Sequence, residues 1–571
     1  MKRIVKESFR IFPEISEIAF WDDKRLYNNK LYEILLSFNL CICNKKIKII
    51  MGIPKLWNVE LINFYIADIN LIEYIPHVDD SGYICTFDKE GILIDRYDLK
   101  GVIKDSIYKL IDVLEKGLLG VNKVDFINEF TSYWLLLKNR TFAKSMVRLE
   151  NGVKKVKYIE EKSNNYIIAD KETDLQIYIK DRTVKNGIFI TVKANEYIYP
   201  PDWRKELTID FFHYFINDNE VNIEKIRNIL NKGFNGERLF LFNIIQPNGV
   251  QCLIGCIFEI LEKVKEHPLI DKNLTSMIEN GLKFKLKPLF VERVDKTYLL
   301  DRCSCYSELI DKKVLLIGCG SVGGYIAVEI VKAGISNLTL VDDDKLNEEN
   351  IFRHFLGMQY IKYYKTTALI DYINKNIPYV KMSNCEEKIQ DALLDKSIEL
   401  EDYDLIISAT GNINVSLWLN KYIYDNDIKV PVIYVWNEPY GIGSHSLIVS
   451  KNNQGCLECL FDKDDTGIYD RSSFCAKGQN FVKAISGCGS SYTPFGSLDS
   501  IRTALLCLRV TVDFLQNHVS ENMIVSIKGN NAAFAFNGYI TSERYDKSQQ
   551  NEILIRGQAF KNKKCMCCGG M

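Results

Sequence analysis

The stretch KKVLLIGCGSVGGYIAVEIVKAGISNLTLVDDD, Lys312 to Asp344, decides the fold of the half of the chain that holds it. Val314 to Ile317 form a short apolar run of the kind buried inside a parallel sheet. Gly318, Gly320 and Gly323 follow as G-x-G-x-x-G, and a helix begins at once. Glycines there let phosphate approach backbone N–H groups at a helix N-terminus. LTLVD is the next strand, and it ends in Asp342 about 20 positions on, where a carboxylate suits a ribose hydroxyl. A lone fingerprint says little. Set between strand and helix with its acid, this one marks a nucleotide site.

The residues that follow choose among nucleotides. DDDKLNEENIFRHFLGMQYIKYYKTTAL carries Asp344, Asn350, Arg353 and Lys365. A triphosphate bears about four negative charges, and attack on its α-phosphate needs cations to offset repulsion and stabilise departing pyrophosphate. Any one of these residues alone reads as a solvated helix face, and an NAD-dependent oxidoreductase has no use for Arg353 or Lys365. The ordered set closely resembles the ThiF/MoeB/ubiquitin-activating superfamily, whose pattern is G-x-G-x-x-G, D-x-D, N-x-x-R and a lysine about a dozen residues on. The resemblance covers roughly residues 300–571 and implies a Rossmann-like adenylation domain using ATP and magnesium. It implies Asp342 on ribose, Asn350, Arg353 and Lys365 on phosphates, and activation of a protein C-terminal carboxylate as an acyl-adenylate. It also implies a homodimer in which Arg302 reaches across the interface. The family's T-D-N is Thr410-Gly411-Asn412 here, which leaves the magnesium ligand open among Asp344, Asp342, water and phosphate.

Bulk properties narrow the setting. A length of 571 residues suggests about three to four domains. A formal net charge of -1 offers no global basic field for nucleic acid or anionic membrane. The start of the chain lacks an apolar signal region and no 18-residue apolar run occurs, so the expected location is cytoplasmic. Seventeen cysteines in such a chain point to metal ligands or catalysis rather than disulfides, and with six histidines a zinc site should be mostly thiolate. Cys456-x-x-Cys459 and Cys565-x-x-Cys568 form such a structural zinc pair, with Cys567 a possible substitute ligand. The related enzymes often carry the same two knuckles. The final Gly569-Gly570-Met571 resembles a ubiquitin-like tail, but glycines beside a zinc knuckle are the simpler reading.

Retaining an activated acyl group requires a thiolate. Cys488 lies among Gly487, Gly489, Ser490 and Ser491, and its following Pro-x-Gly and helix resemble the segment after the catalytic cysteine of ThiF-type enzymes. Cys475 is the alternative, and Cys507 in ALLCLRV reads as core.

The fold expected is multidomain α/β and α+β. Residues 1–145 mix strands with LKGVIKDSIYKLIDVLEKGL, where Val102, Ile103, Ile107, Leu110, Ile111 and Leu114 recur at helical spacing. Residues 146–295 carry alternating strands without a reactive cluster and read as a connector or recognition domain; residues 296–571 form the adenylation domain with its zinc knuckle. In the first part, Ile75-Pro76-His77 is followed by seven residues and then Cys85, ending in SGYIC. This resembles ubiquitin-conjugating enzymes, which carry H-P-N, the same spacer and an acceptor cysteine. His77 stands where the family has asparagine; an imidazole N–H can also donate to an oxyanion or take a proton from an amine. Asp79 and Asp80 orient an incoming lysine or simply form the turn.

A conjugating-like domain ahead of an activating-like domain resembles the fused enzyme of bacterial CBASS antiphage operons. That resemblance implies activation of the C-terminus of a cGAS/DncV-like nucleotidyltransferase, its transfer from Cys488 to Cys85, and conjugation to an acceptor protein. The rival expectations are a ThiF/MoeB-like activator of a ubiquitin-like or sulfur-carrier protein, and a non-catalytic nucleotide-binding scaffold.

Overall fold

The structure, a computed structural model, describes residues 1–21, 26–87, 91–162, 164–179, 182–212, 237–260, 284–302, 307–450, 454–465, 467–484 and 491–569. The chain forms two compact units, Met1–Asp295 and Lys296–Met571.

The first unit opens on α1 (Lys2–Phe9) and an antiparallel sheet of β1 (Ile15–Phe20), β2 (Ile34–Ile42), β3 (Lys45–Ile53), β4 (Asn63–Ile66) and β5 (Tyr83–Ile84), in that spatial order. The expected helix is α2 (Leu99–Leu119). The Asp98 side chain caps its start by accepting from the Gly101 N–H, and Gly120, at φ 70°, ends it in the left-handed region. Ile103, Ile107, Leu110 and Leu114 are fully buried against Leu36, Phe38, Ile49 and Met51 of the sheet. The 3.6-residue period of the sequence is therefore the sheet-facing stripe. Two short helices follow, α3 (Asp125–Asn128) and α4 (Phe130–Leu135).

The remainder of this unit is a closed barrel. Its strands are β6 (Thr141–Ser145), β7 (Val153–Lys162), β8 (Asn165–Ala169), β9 (Lys185–Lys193), β10 (Glu237–Ile245), β11 (Gln251–Ile260) and β12 (Phe284–Arg293), in the order β8-β6-β12-β11-β10-β9-β7. Alternate residues serve opposite faces: Leu239 and Leu241 join one apolar cluster, Phe240 and Phe242 another. The second cluster takes in Phe130 and Trp134 of α4, and the Trp134 indole N–H donates to the Leu289 carbonyl at 3.1 Å. Alternation was legible in the sequence; closure was not, because it depends on register between strands far apart in the chain.

The second unit holds an eight-stranded sheet. β13 (Lys313–Ile317), β14 (Asn337–Val341), β15 (Lys381–Cys385), β16 (Leu405–Ser408), β17 (Val432–Asn437), β18 (Gly443–Val449), β19 (Met523–Lys528) and β20 (Glu552–Arg556) lie in the order β15-β14-β13-β16-β17-β18-β19-β20. The first five are parallel and the last three antiparallel. Helices α5 (Ser321–Lys332), α6 (Lys365–Asn376), α7 (Ile413–Asp425) and α8 (Ser497–Leu515) accompany it. The strand order reverses between β13 and β16, the place where open α/β sheets bind ligands.

Candidate active site

The glycine loop joins β13 to α5. Gly318 takes φ +90°, and a Cβ on it would sit 2.6 Å from the Ala409 carbonyl oxygen. A Cβ on Gly323 would overlap the Gly318 carbonyl group, 2.9 Å from its carbon. Both positions therefore require glycine for the loop to close on β16 and α5. Gly320 is different: a Cβ there meets nothing within 4 Å, so its constraint does not come from the protein.

Asp342, at the end of β14, holds the loop. Its Oδ2 accepts from the Cys319 N–H at 2.6 Å and its Oδ1 from the Asp344 N–H at 2.9 Å. Burial raises its pKa, with Lys365 and the two N–H donors opposing. Lys365, buried at the first turn of α6, places Nζ 2.7 Å from Asp344 Oδ2 and 3.9 Å from Asp342 Oδ1. Arg353 lays its guanidinium over the Phe495 ring at 5.2 Å, and Asn350 accepts from the Asn347 N–H at 3.2 Å. The exposed Arg302 is seen over the Tyr298 ring at 5.9 Å.

One loop residue escaped the sequence reading. His354 is buried; its Nδ1 accepts from the Leu356 N–H at 3.0 Å, which makes Nε2 the donor to the Cys319 carbonyl at 2.8 Å. Burial pushes its pKa down to about 4, so the ring is neutral. Cys319 is thus fixed through both its N–H and its carbonyl, by Asp342 and His354. The available signal was the extra Gly324, whose missing Cβ leaves room for the His354 ring at 3.1 Å.

A cavity of about 610 Å³ opens beside the loop. It runs from Gly320 and Ser321 past Thr410, Gly411 and Asn412 to Trp436, Glu438 and Cys475. Glu438 is buried and organises the far wall. Its Oε1 meets His445 Nε2 at 2.5 Å and the Phe474 N–H at 2.8 Å; its Oε2 accepts from Ser473 Oγ at 2.6 Å and the Cys475 N–H at 3.1 Å. Burial opposes its charge, but His445 and these donors hold its pKa down at about 2. Burial and then Glu438 push the Cys475 thiol up, so it stays protonated. Cys507 is core, as expected. Cys488 lies outside the described residues.

Two metals can be tested against the donors. Cys456, Cys459, Cys565 and Cys568 are buried with all four sulfurs within 4.8 Å of one another. Adjacent pairs stand 3.2 to 4.0 Å apart, bracketing the ~3.8 Å edge of a thiolate tetrahedron with Zn–S near 2.3 Å. The four fit zinc. Cys567 accepts from Asn420 Nδ2 at 3.1 Å and stands outside that quartet. The carboxylates of Asp342, Asp343 and Asp344 also converge within 4.8 Å, a hard-oxygen set that fits magnesium. Gly411, at φ +66°, offers no side-chain ligand.

In the first unit Cys85 is exposed just after β5, its N–H donating to the His77 carbonyl at 2.8 Å. His77 Nε2 lies 3.0 Å from Asp125 Oδ2 and Nδ1 3.3 Å from Glu129 Oε1; the second contact is an ion pair without hydrogen-bond alignment. Glu129 and then Asp125 raise the His77 pKa against the effect of burial. Asp79 is the turn former, its Oδ1 accepting from the Ser81 and Tyr83 N–H groups, both at 2.9 Å.

The ThiF family matches residues 302–501, and Prokaryotic E2 family B matches residues 17–143. The chain is a fused protein, a ubiquitin-conjugating-like part followed by a ThiF-type, ubiquitin-activating-like part. It is 24% identical over 477 residues to the "ATP-dependent ubiquitin transferase-like protein Cap2" of Pseudomonas aeruginosa, covering 81% of this chain and 84% of that protein. Against the protein of the same name from Escherichia coli it is 24% identical over 496 residues, covering 79% and 82%. Among solved structures, E. coli MccB with ATP matches at TM-score 0.33 and 18% identity, over 46% of this chain and 69% of that one. Among the described residues, no helix is long and apolar enough to cross a membrane.

Proposed function

We propose that this chain uses ATP to adenylate the C-terminal carboxylate of a partner protein and passes the acyl group through two cysteines to an amine. The observation that carries the reading is the convergence of Asp342, Asp344 and Lys365 on a glycine loop that opens into the cavity at the sheet's switch point. The loop amides and the N-terminus of α5 take the phosphates, Asp342 the ribose, and Asn350, Arg353 and Lys365 offset phosphate charge. Magnesium held by Asp344 and Asp342 would supply further positive charge against the departing pyrophosphate. The partner's carboxylate oxygen bonds to the α-phosphorus as the bond to pyrophosphate breaks. The Cys488 thiolate then bonds to the acyl carbon and AMP leaves. Cys85 takes the acyl group by thioester exchange, and an acceptor amine releases it as an amide.

Three observations support this assignment. Cys475 is tied to Glu438 and kept as a thiol, which favours Cys488 as first nucleophile. Cys85 is exposed on the conjugating-like part, where an acceptor can reach it. Proteins named ATP-dependent ubiquitin transferase-like match about four-fifths of the chain. The resemblance to the CBASS enzyme points to a cGAS/DncV-like nucleotidyltransferase as partner, and to a cytoplasmic homodimer completed by Arg302. The conjugating part lies within residues 1–145, whose last strand β6 already belongs to the barrel; 146–295 act as connector and 296–571 as the activating part, with zinc fastening the C-terminal knuckle. The test is ATP–pyrophosphate exchange with a cGAS-like nucleotidyltransferase bearing its native C-terminus. Exchange that disappears when the last residue of that partner is deleted supports the reading. ATP binding without exchange supports a scaffold, the alternative that Gly411 favours.

A further inference from the structure

His77 adopts φ +65°, a left-handed backbone conformation uncommon outside glycine, though histidine, like asparagine and aspartate, enters it more readily than most residues. Such a residue persists only where its surroundings over-determine it. Both its backbone groups and its ring are held. The His77 N–H donates to the Tyr133 hydroxyl at 2.6 Å, and the carbonyl accepts from the Cys85 N–H. Tyr133 in turn donates to Glu129 Oε2 at 3.0 Å, while the other oxygen of Glu129 faces the His77 ring opposite Asp125. Asp125, Glu129 and Tyr133 recur every fourth residue, so one side of the α3–α4 segment receives the whole of His77. That segment is a firm base, since Phe126, Phe130 and Trp134 are buried.

Between His77 and Cys85 the chain is closed on itself. Val78 bridges Ile84, and Asp79 and Tyr83 pair across the turn. The loop carrying Cys85 is thus tied to the β5 strand, to the core through Val78, to Asn28 through Ser81 Oγ at 2.9 Å, and to the α3–α4 segment through His77.

We propose that His77 is a positioning residue: as an imidazolium gripped by Asp125 and Glu129, it fastens the Cys85 turn to the α3–α4 segment rather than donating to an oxyanion. This rests on the proposed role of Cys85 as thioester carrier. The groups facing the ring are the two carboxylates and, through Glu129, the Tyr133 phenol. A histidine whose pKa is raised on folding contributes its grip fully below its unfolded pKa and loses it as pH rises through the folded value. The turn therefore loosens on the alkaline side.

Hydrogen exchange on the full chain, read peptide by peptide and corrected for intrinsic rates, needs no partner. The double variant Asp125→Asn/Glu129→Gln is expected to lose about tenfold protection over residues 78–85 at about pH 6, below the unfolded histidine pKa, with β2 and β3 unchanged. His77→Asn, which keeps a donor but no charge, should lose as much. His77→Lys, which keeps the charge, should regain most of it and hold it to pH 9. Wild-type protection over 78–85 should fall with rising pH, a dependence absent from the double variant. Unchanged protection in the double variant, or a His77→Asn protein like wild type, overturns the proposal. A second readout is discharge of a Cys85 thioester, formed with ATP and a cGAS-like nucleotidyltransferase, to free lysine. It should slow in the double variant and in His77→Asn but not in His77→Lys; equal discharge by His77→Asn and wild type restores the oxyanion-donor role. Failure to charge Cys85 at all would count against the transfer reaction, while the exchange result still decides the clamp.

Discussion

Two glycines of the nucleotide loop separate what the fold needs from what the ligand needs. A methyl at Gly323 would overlap the Gly318 carbonyl, backbone against backbone, with no side chain to swing aside. Overpacking of this kind costs about 1–3 kcal/mol, so Gly323→Ala should lower both Tm and ATP affinity. A methyl at Gly320 meets open space, and the residue caps α5 at φ −74° and ψ −153°, an extended conformation that does not need a positive φ. Its effect on stability should stay near the cost of alanine at an N-cap, about 1 kcal/mol or less. If phosphate rests on the loop, however, that methyl occupies the approach to the amides. Losing one charge-assisted hydrogen bond of about 1.5–3 kcal/mol weakens ATP binding roughly 10- to 150-fold. Thermal unfolding and isothermal titration with ATP measure the two quantities separately. A Gly320→Ala protein with wild-type Tm and wild-type ATP affinity would refute the placement of phosphate on this loop.

Further outcomes follow from the same geometry. The protein should carry one zinc per chain by elemental analysis, and Cys456→Ser should lose it with several kcal/mol of stability in the second unit; full zinc content in that variant contradicts the quartet. His354 has a folded pKa near 4, so its contribution to stability is lost as pH falls from about 6.5 through 4. The loss reaches about 3 kcal/mol, and His354→Gln should flatten that part of the stability–pH curve. Asp342, with a raised pKa, loses its charge above the ordinary aspartate range on acidification, so ATP binding should weaken there while its own contribution to stability improves. Lys365→Met removes the cation opposing that rise, and should move the loss of binding to still higher pH.

The parts of the site written in short spacings were legible in the sequence. Gly318, Gly320, Gly323 and Asp342 reveal themselves because strand, turn and helix are consecutive, and the paired C-x-x-C units because each knuckle is local. What stayed hidden is long-range pairing between ordinary residue types. His354 holds Cys319 from 35 positions away, Glu438 holds Ser473 from 35, and Asp125 meets His77 from 48. Nothing in residue type marks these partners beforehand. Replacing the family's asparagine with His77 invited an oxyanion role by analogy, and the acids that draw the ring elsewhere lie on a segment that reads only as short helix. The barrel shows the same limit, since alternation announces strands but not the register that closes them.

The central claim is that one chain carries an acyl group from an adenylate to Cys85. Full-length protein incubated with ATP and a cGAS-like nucleotidyltransferase, then resolved without reductant, should show a covalent adduct that thiol reductant releases and peptide mapping places on Cys85. Cys85→Ala and Cys488→Ala should each abolish that Cys85 adduct. An adduct on Cys85 that persists in Cys488→Ala, or product formed at the wild-type rate by Cys85→Ala, would contradict the account.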